Sequence, residues 1–324
     1  MQKAKALIID DFDLLLINGL KQAGIKVDYH PNIKLQELFE LSNQYQILVV
    51  RSKTYIDKLF LDKFTKIKLV ARGGAGLDGI DIDLCAQRGI KVINAPEGNR
   101  NAVAEHTIAM MLAWQTKLLK ADAEVKQGQW NREANRGSEI KYQTIGIIGF
   151  GNCGKEVAKK LKSFGCKILA NDIDKKKVQS SLAKYVSLAE LCKKADIITL
   201  HIPFTKQNKY LVNSEFLFQL KPSSLLLNMS RGEILNTHQA LTALKNGVFD
   251  CLGLDVIDGE QKNGFPLLGH ETLLLFKSLQ NRIMITPHVA GWTKESYTKI
   301  SKVLLKKIIG YKIKYQKNEA RKDI

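Results

Sequence analysis

The stretch TIGIIGFGNCG, residues 144–154, restricts this chain more than any other. A short apolar, β-branched run reads as a strand. Three glycines follow at G-x-G-x-x-G spacing: Gly149, Gly151 and Gly154. The amphipathic sequence KEVAKKLKSFG then reads as a helix. In a strand–turn–helix unit, Gly149 permits the tight turn, Gly151 lets the backbone approach a pyrophosphate, and Gly154 lets helix and strand pack closely. Asn152 and Cys153 fall in the helix's first turn, where free N–H groups and the helix dipole favour an anion. The next strand candidate, KILAND, ends at Asp172, 23 residues beyond Gly149. That is the spacing of a carboxylate that accepts from the adenosine ribose hydroxyls. Its charge would repel a 2′-phosphate, so the expected cofactor is NAD rather than NADP. Asp174 is the alternative for this contact, and Cys153 reads as a small apolar filler.

The same alternation runs along the chain. KAKALIID, residues 26–29, QILVV, KLVAR and IKVINAP (residues 90–96) read as strands of a first series, with helical stretches such as residues 12–23 between them. A second series has six strand candidates: TIGIIGF, KILAND, ADIITLHIP, LLLNMS, LGLDV and IMITPH. Apolar strands alternating with helices predict parallel sheets covered on both faces. Residues 101–126 carry no Gly or Pro and read as one helix of five or more turns, more apolar than a surface helix needs. An interface, between domains or subunits, would explain it. Residues 294–315 read as a basic closing helix. At 324 residues, two domains are the natural division.

Composition narrows the partners. Fifty Lys and Arg face 32 Asp and Glu, a formal charge of +18, but only nine of the fifty are Arg. Proteins that read bases lean on arginine's planar fork, so a lysine excess reads mainly as surface, and a nucleic-acid partner is not expected. Five cysteines (Cys85, Cys153, Cys166, Cys192, Cys251) form no C-x-x-C pair. Neither a disulfide framework nor a zinc signature is present, and no metal is expected. No apolar run is long enough to span a membrane. The expected location is cytoplasmic.

Four further stretches complete the pattern: RGGAGLDGIDIDLCAQRGIKVINAPEGNRNAVAEHT (residues 72–107), LNMSRGEILN (227–236), LDVIDGE (254–260) and TPHVAG (286–291). With the glycine motif, in this order, the chain resembles the D-isomer-specific 2-hydroxyacid dehydrogenases over nearly its whole length. The resemblance implies an α/β protein of two Rossmann-like domains. Residues 1–98 and 292–324 would form a flavodoxin-like substrate domain, and residues 99–291 an inserted, doubly wound NAD-binding domain, with the active site in the cleft. The reaction would move a hydride between C2 of a D-2-hydroxy acid and NAD. It implies His288 as general acid/base, since imidazole exchanges protons near neutrality. Glu260 would orient the imidazole, and Arg231 would hold the substrate carboxylate through its fork. It also places Met229, Ser230, Asp255 and Gly291 on the cofactor, with Asp255 at the nicotinamide carboxamide. His201 matches a position near the nucleotide rather than the base, and His106 reads as structural. Members commonly carry Pro after the catalytic Glu. Here Gln261 stands there, which leaves Asp258 as a second candidate for the acidic partner.

For the substrate, Arg51 and Ser52 in VVRSKTYID, Arg72 before GGAG, the backbone N–H groups of Ala75 and Gly76, and Arg132 after Trp130 resemble the phosphoglycerate dehydrogenase branch. Three arginines suit one phosphate dianion. The expected reaction is therefore 3-phosphoglycerate to 3-phosphohydroxypyruvate, the entry to serine synthesis. The alternatives are a glyoxylate, hydroxypyruvate or other small 2-ketoacid reductase and, in another class, an NAD-binding, corepressor-like interaction protein. A homodimer through the NAD-binding domain is expected. So is the absence of serine feedback through a regulatory domain beyond Ile324.

Overall fold

The computed structural model describes residues 4–41, 44–179, 181–260 and 266–320, with side chains as far as Lys312. The position after Glu260, Gln261, lies outside the described residues. The chain divides into two compact units, Met1–Asn99 with Trp292–Ile324, and Arg100–Gly291.

In the first unit, β1 (Lys5–Ile8), β2 (Lys26–Tyr29), β3 (Ile47–Val50), β4 (Leu69–Arg72) and β5 (Lys91–Asn94) form a parallel sheet of order β2-β1-β3-β4-β5. This is the flavodoxin-like order. Alternation along the strands supplies two cores. Ala6 and Ile8 face Leu16, Leu20, Leu304 and Ile308, whereas Leu7 and Ile9 face Leu38, Phe60 and Phe64. The C-terminal helix Lys294–Ala320 thus belongs to this unit through its apolar stripe. Thr298 Oγ1 also donates to Asp13, 2.6 Å away.

The second unit contains β6 (Thr144–Ile148), β7 (Lys167–Asn171), β8 (Lys184–Tyr185), β9 (Ile197–Leu200), β10 (Leu225–Asn228), β11 (Cys251–Leu254) and β12 (Ile283–Ile285). They pair in parallel in the order β12-β11-β10-β9-β6-β7-β8. β9, β10 and β11 are buried at every position, as strands covered on both faces must be. The chain winds outward from β6 in both directions, so the strand order reverses between β6 and β9. Ligands of open α/β sheets bind at such a reversal, beyond the strands' carboxyl ends. The six strand candidates become seven, because β8 has only two residues and carries no periodicity.

The expected single helix over residues 101–126 is two. The first, Pro96–Gln115, starts earlier, with its proline at the position that needs no N–H donor. The second is Leu118–Lys126. Between them Lys117 turns left-handed, at φ +54°. The break is held from outside: Ser138 N–H donates to Gln115 O, and Lys117 Nζ to Ala134 O. The apolar surplus also divides. Val103, Ile108, Met110 and Met111 are buried in their own unit's core, while Leu118, Leu119 and Val125 are exposed.

Candidate active site

The glycine-rich turn stands at the carboxyl end of β6, beside the reversal. Gly149 has φ +90°, and a Cβ there would lie 2.6 Å from His201 O. At Gly154 a Cβ would lie 2.0 Å from Gly149 O. Both glycines are demanded by the protein itself. Gly151 is not: its φ is −78°, which any residue adopts, and a Cβ would meet no protein atom within 4 Å. The open space lies at the start of helix Asn152–Leu161, which no side chain caps. Uncapped N–H groups under an unfilled space fit the pyrophosphate of a dinucleotide.

Asp172 follows β7 at the same edge. One carboxylate oxygen accepts from Phe150 N–H at 2.7 Å, and the other from Asp174 N–H at 2.9 Å, with Lys177 Nζ 3.6 Å away. Asp172 therefore braces the glycine turn, and its remaining lone pairs are what a ribose could use. Asp174 caps the 3-10 turn Lys175–Lys177. Burial pushes the Cys153 thiol up to about 11, which leaves it a poor nucleophile near neutrality.

A second cluster stands at the ends of three adjacent strands, β10, β11 and β12. After β12, His288 has φ +54°, a strained conformation for a residue with a side chain. Its Nδ1 is 2.8 Å from Glu260 Oε2. Nε2 has no protein partner among the described residues. Asp258 is engaged elsewhere, accepting from Tyr210 Oη at 2.6 Å. Between the two acids, the geometry gives the histidine to Glu260.

The strain at His288 is held by Asp255, which is 2 % exposed. Its backbone O accepts from His288 N–H. Its carboxylate accepts from Thr286 Oγ1 at 2.6 Å, Val289 N–H at 2.9 Å and Ala290 N–H at 2.9 Å. Three protein donors thus occupy the group expected at the nicotinamide, and they fasten the loop that carries the histidine. His106 Nε2 lies 3.0 Å from Thr286 Oγ1 and extends the network. After β10, buried Asn228 accepts from Ser230 N–H and Oγ and donates to Arg231 O. Arg231 Nη1 donates to Ser230 O. Met229 and Ser230 are buried in this turn, and Gly291 closes the segment after His288. Sequence reasoning missed Asn228 and Thr286. An amide at the end of an apolar strand was the available signal for the first. The second is visible only once β11 and β12 pair.

In the first unit, Arg51 and Arg72 follow β3 and β4. Arg51 N–H donates to Asp10 Oδ2 at 2.5 Å, and Arg72 Nε donates to Arg51 O at 3.2 Å. The Arg51 guanidinium lies 4.3 Å from the Trp292 ring centroid, 5.5 Å from Tyr297 and 5.7 Å from Phe12. Aromatic contacts therefore cover much of a group expected to face an anion. Ser52 is exposed. The N–H groups of Ala75 and Gly76 have no protein acceptor among the described residues. Arg132 is exposed in the second unit.

Comparison with known proteins gives the family. Residues 108–290 match the NAD-binding domain of the D-isomer-specific 2-hydroxyacid dehydrogenases. The chain belongs to this family. It is 32% identical over 308 residues to D-3-phosphoglycerate dehydrogenase of Archaeoglobus fulgidus, covering 94% of this chain and 56% of that protein. It is 32% identical over 277 residues to hydroxypyruvate reductase of Thermotoga maritima, covering 86% and 88%. Among solved structures, D-lactate dehydrogenase of Aquifex aeolicus, complexed with NAD and lactic acid, superposes with a TM-score of 0.80. It has 28% identity and 95% coverage of both chains. The chain spans about half the length of the phosphoglycerate dehydrogenases it matches. Among the described residues, no helix is long and apolar enough to cross a membrane.

Proposed function

We propose that this protein is an NAD-dependent D-2-hydroxyacid dehydrogenase whose substrate is 3-phosphoglycerate. The observation that carries the reaction class is the 2.8 Å pair of His288 and Glu260, on the same sheet edge as the glycine turn and Arg231. The nicotinamide, when bound, accepts or supplies the hydride. Gly149 and Gly154 shape the turn so that Gly151 and the N–H groups of Asn152 and Cys153 would hold the pyrophosphate, and Asp172 would take the ribose. Met229, Ser230, Asp255 and Gly291 support the nicotinamide side. Glu260 holds Nδ1, which presents Nε2 to the C2 oxygen. As the hydride leaves C2, His288 takes the hydroxyl proton; in reduction it returns it. Arg231 pairs with the carboxylate and offsets charge on the oxygen.

The phosphate reading rests on Arg51 and Arg72 following the paired strands β3 and β4, with Arg72 Nε donating to the Arg51 backbone O at 3.2 Å. Ser52 and the backbone N–H groups of Ala75 and Gly76 are assigned to the same anion. Residues 1–98 and 292–324 would then serve the substrate and residues 99–291 the cofactor. The exposed Leu118, Leu119 and Val125 would form part of a homodimer contact. A cytoplasmic setting and a place in serine synthesis follow from the substrate. One observation favours a second reading, a hydroxypyruvate reductase: the match to that enzyme covers 88% of its length.

Turnover of 3-phosphohydroxypyruvate, hydroxypyruvate, glyoxylate and pyruvate with NADH and NADPH separates the two. The proposal predicts a kcat/KM at least tenfold higher for the phosphorylated acid. It also predicts that Arg51→Gln and Arg72→Gln each erase most of that preference. Equal or better use of hydroxypyruvate by the unaltered enzyme would transfer the assignment to the second reading.

A further inference from the structure

We propose that Tyr210 is a positioning residue, holding Glu260 against His288 by way of Asp258. The inference rests on reading His288 and Glu260 as the proton-transfer pair. Tyr210 lies between β9 and β10 with φ +52°, a left-handed conformation that side-chain-bearing residues rarely take. Strain of this kind persists where surrounding contacts impose it. Here two contacts do so. Tyr210 N–H donates to Glu233 O at 2.9 Å, two residues past Arg231. Its hydroxyl donates to Asp258 Oδ2 at 2.6 Å, two residues before Glu260. One residue therefore ties the loop carrying the arginine to the loop carrying the acid.

The two loops are also pressed together behind it. A Cβ at Gly232 would lie 2.1 Å from Ile257 C and 2.3 Å from Asp258 N, so the turn at 257–258 rests directly on the residue after Arg231. Beyond it, Gly259 takes φ +81° and its O accepts from Leu267 N–H. The Asp258 side chain is the link that can stop this turn from swinging and carrying Glu260 with it. The phenol is suited to donate. Its hydrogen bond to Asp258, then burial, then the charges of Asp258 and Glu233, push its titration up, so the proton stays on Tyr210 across the working range. Lys209 Nζ lies over its ring at 5.0 Å.

The test compares Tyr210→Phe, Tyr210→Gly, Asp258→Ala, Glu260→Gln and the double variant Tyr210→Phe/Glu260→Gln. The readouts are kcat, KM for the oxo acid and NADH affinity by fluorescence. Displacing an orienting group by a fraction of an ångström should lower kcat about tenfold. Tyr210→Phe, Tyr210→Gly and Asp258→Ala should each do so, with KM and NADH affinity within twofold of the parent. Tyr210→Gly relieves the backbone and should not recover activity. In the Glu260→Gln background, Tyr210→Phe should cost nothing further, because it acts through the missing carboxylate. A parental kcat in both Tyr210→Phe and Asp258→Ala, with Glu260→Gln impaired, would overturn the strut alone. An equal, multiplicative loss in the double variant would overturn it too and mark the contact as structural. Full activity in Glu260→Gln would overturn the proton-transfer pair, and the strut with it.

Discussion

Two places on the edge of one seven-stranded sheet are built in opposite ways. The turn after β6 is made of backbone. Gly154 answers to a clash inside the turn and Gly149 to the backbone at His201, and the open position, Gly151, adjoins an uncapped helix start. The corner after β10, β11 and β12 is made of side chains that meet across long sequence separations. His288 reaches Glu260 and Asp255 fastens residues 286–290, while Asn228 shapes the turn at Arg231 from three residues away. The first device binds by leaving room. The second works by holding a strained histidine where relaxed backbone would not leave it. The difference shows that a binding turn can be shaped by backbone and glycine alone, whereas a proton-transfer pair must be fixed by side chains from several elements at once.

This contrast can be broken from the catalytic side. Glu260→Gln removes the charge that orients His288 and keeps its volume. It should lower kcat by about 10²–10³-fold while leaving NADH affinity within twofold. Single-turnover reduction of the oxo acid, beside a fluorescence titration, checks both. Equal loss of cofactor affinity would mean that the two places are not separable.

From the cofactor side, Gly151→Val should act in reverse. No protein atom lies within 4 Å of the added Cβ, so unfolding free energy should change by less than about 1 kcal/mol. NADH affinity should fall by about 10²-fold, because a valine fills the space at the helix start. Urea unfolding and NADH titration test this. Gly154→Ala sharpens it, since its Cβ would meet Gly149 O and should destabilise the fold even without cofactor.

A further test concerns His201, which follows β9 beside the glycine turn. Burial pushes this imidazole down to about 3, and Nε2 lies 3.0 Å from Thr199 Oγ1. The folded chain holds the ring neutral, whereas the unfolded chain protonates it below about pH 6.5. Stability should therefore be unaffected above that value. It should fall as pH drops from about 6.5 toward 3, by at most about 1.4 kcal/mol per pH unit. His201→Gln should flatten that part of the urea-midpoint profile, and an unchanged slope would contradict the assignment.

What could be read beforehand follows the same division. Strand–glycine–helix order, the spacing to Asp172 and the parallel sheets come from local residue types, and the apolar runs needed no partner to be recognised. The break at Lys117 depends on Ser138 and Ala134, which reach back from a later loop. The choice of Glu260 over Asp258 depends on Tyr210, 48 residues before Asp258, taking the nearer acid. The left-handed backbone at His288 has no signature in PHVAG, because glycine is the residue that such a φ usually selects, and histidine takes it only as a minority of its conformations. Arg51 was legible as a cation, but its cover of Phe12, Trp292 and Tyr297 required the closing segment to return to the first unit.

The most direct test of the account is NADH-dependent reduction of 3-phosphohydroxypyruvate and hydroxypyruvate by the unaltered protein and by His288→Asn, with NADH affinity measured on the same preparations. The account predicts turnover of a 2-oxo acid by the former, a loss of at least about 10²-fold in kcat for the variant, and unchanged NADH binding in both. Turnover that survives in His288→Asn, or an unaltered protein that binds NADH yet reduces none of the 2-oxo acids, would contradict it.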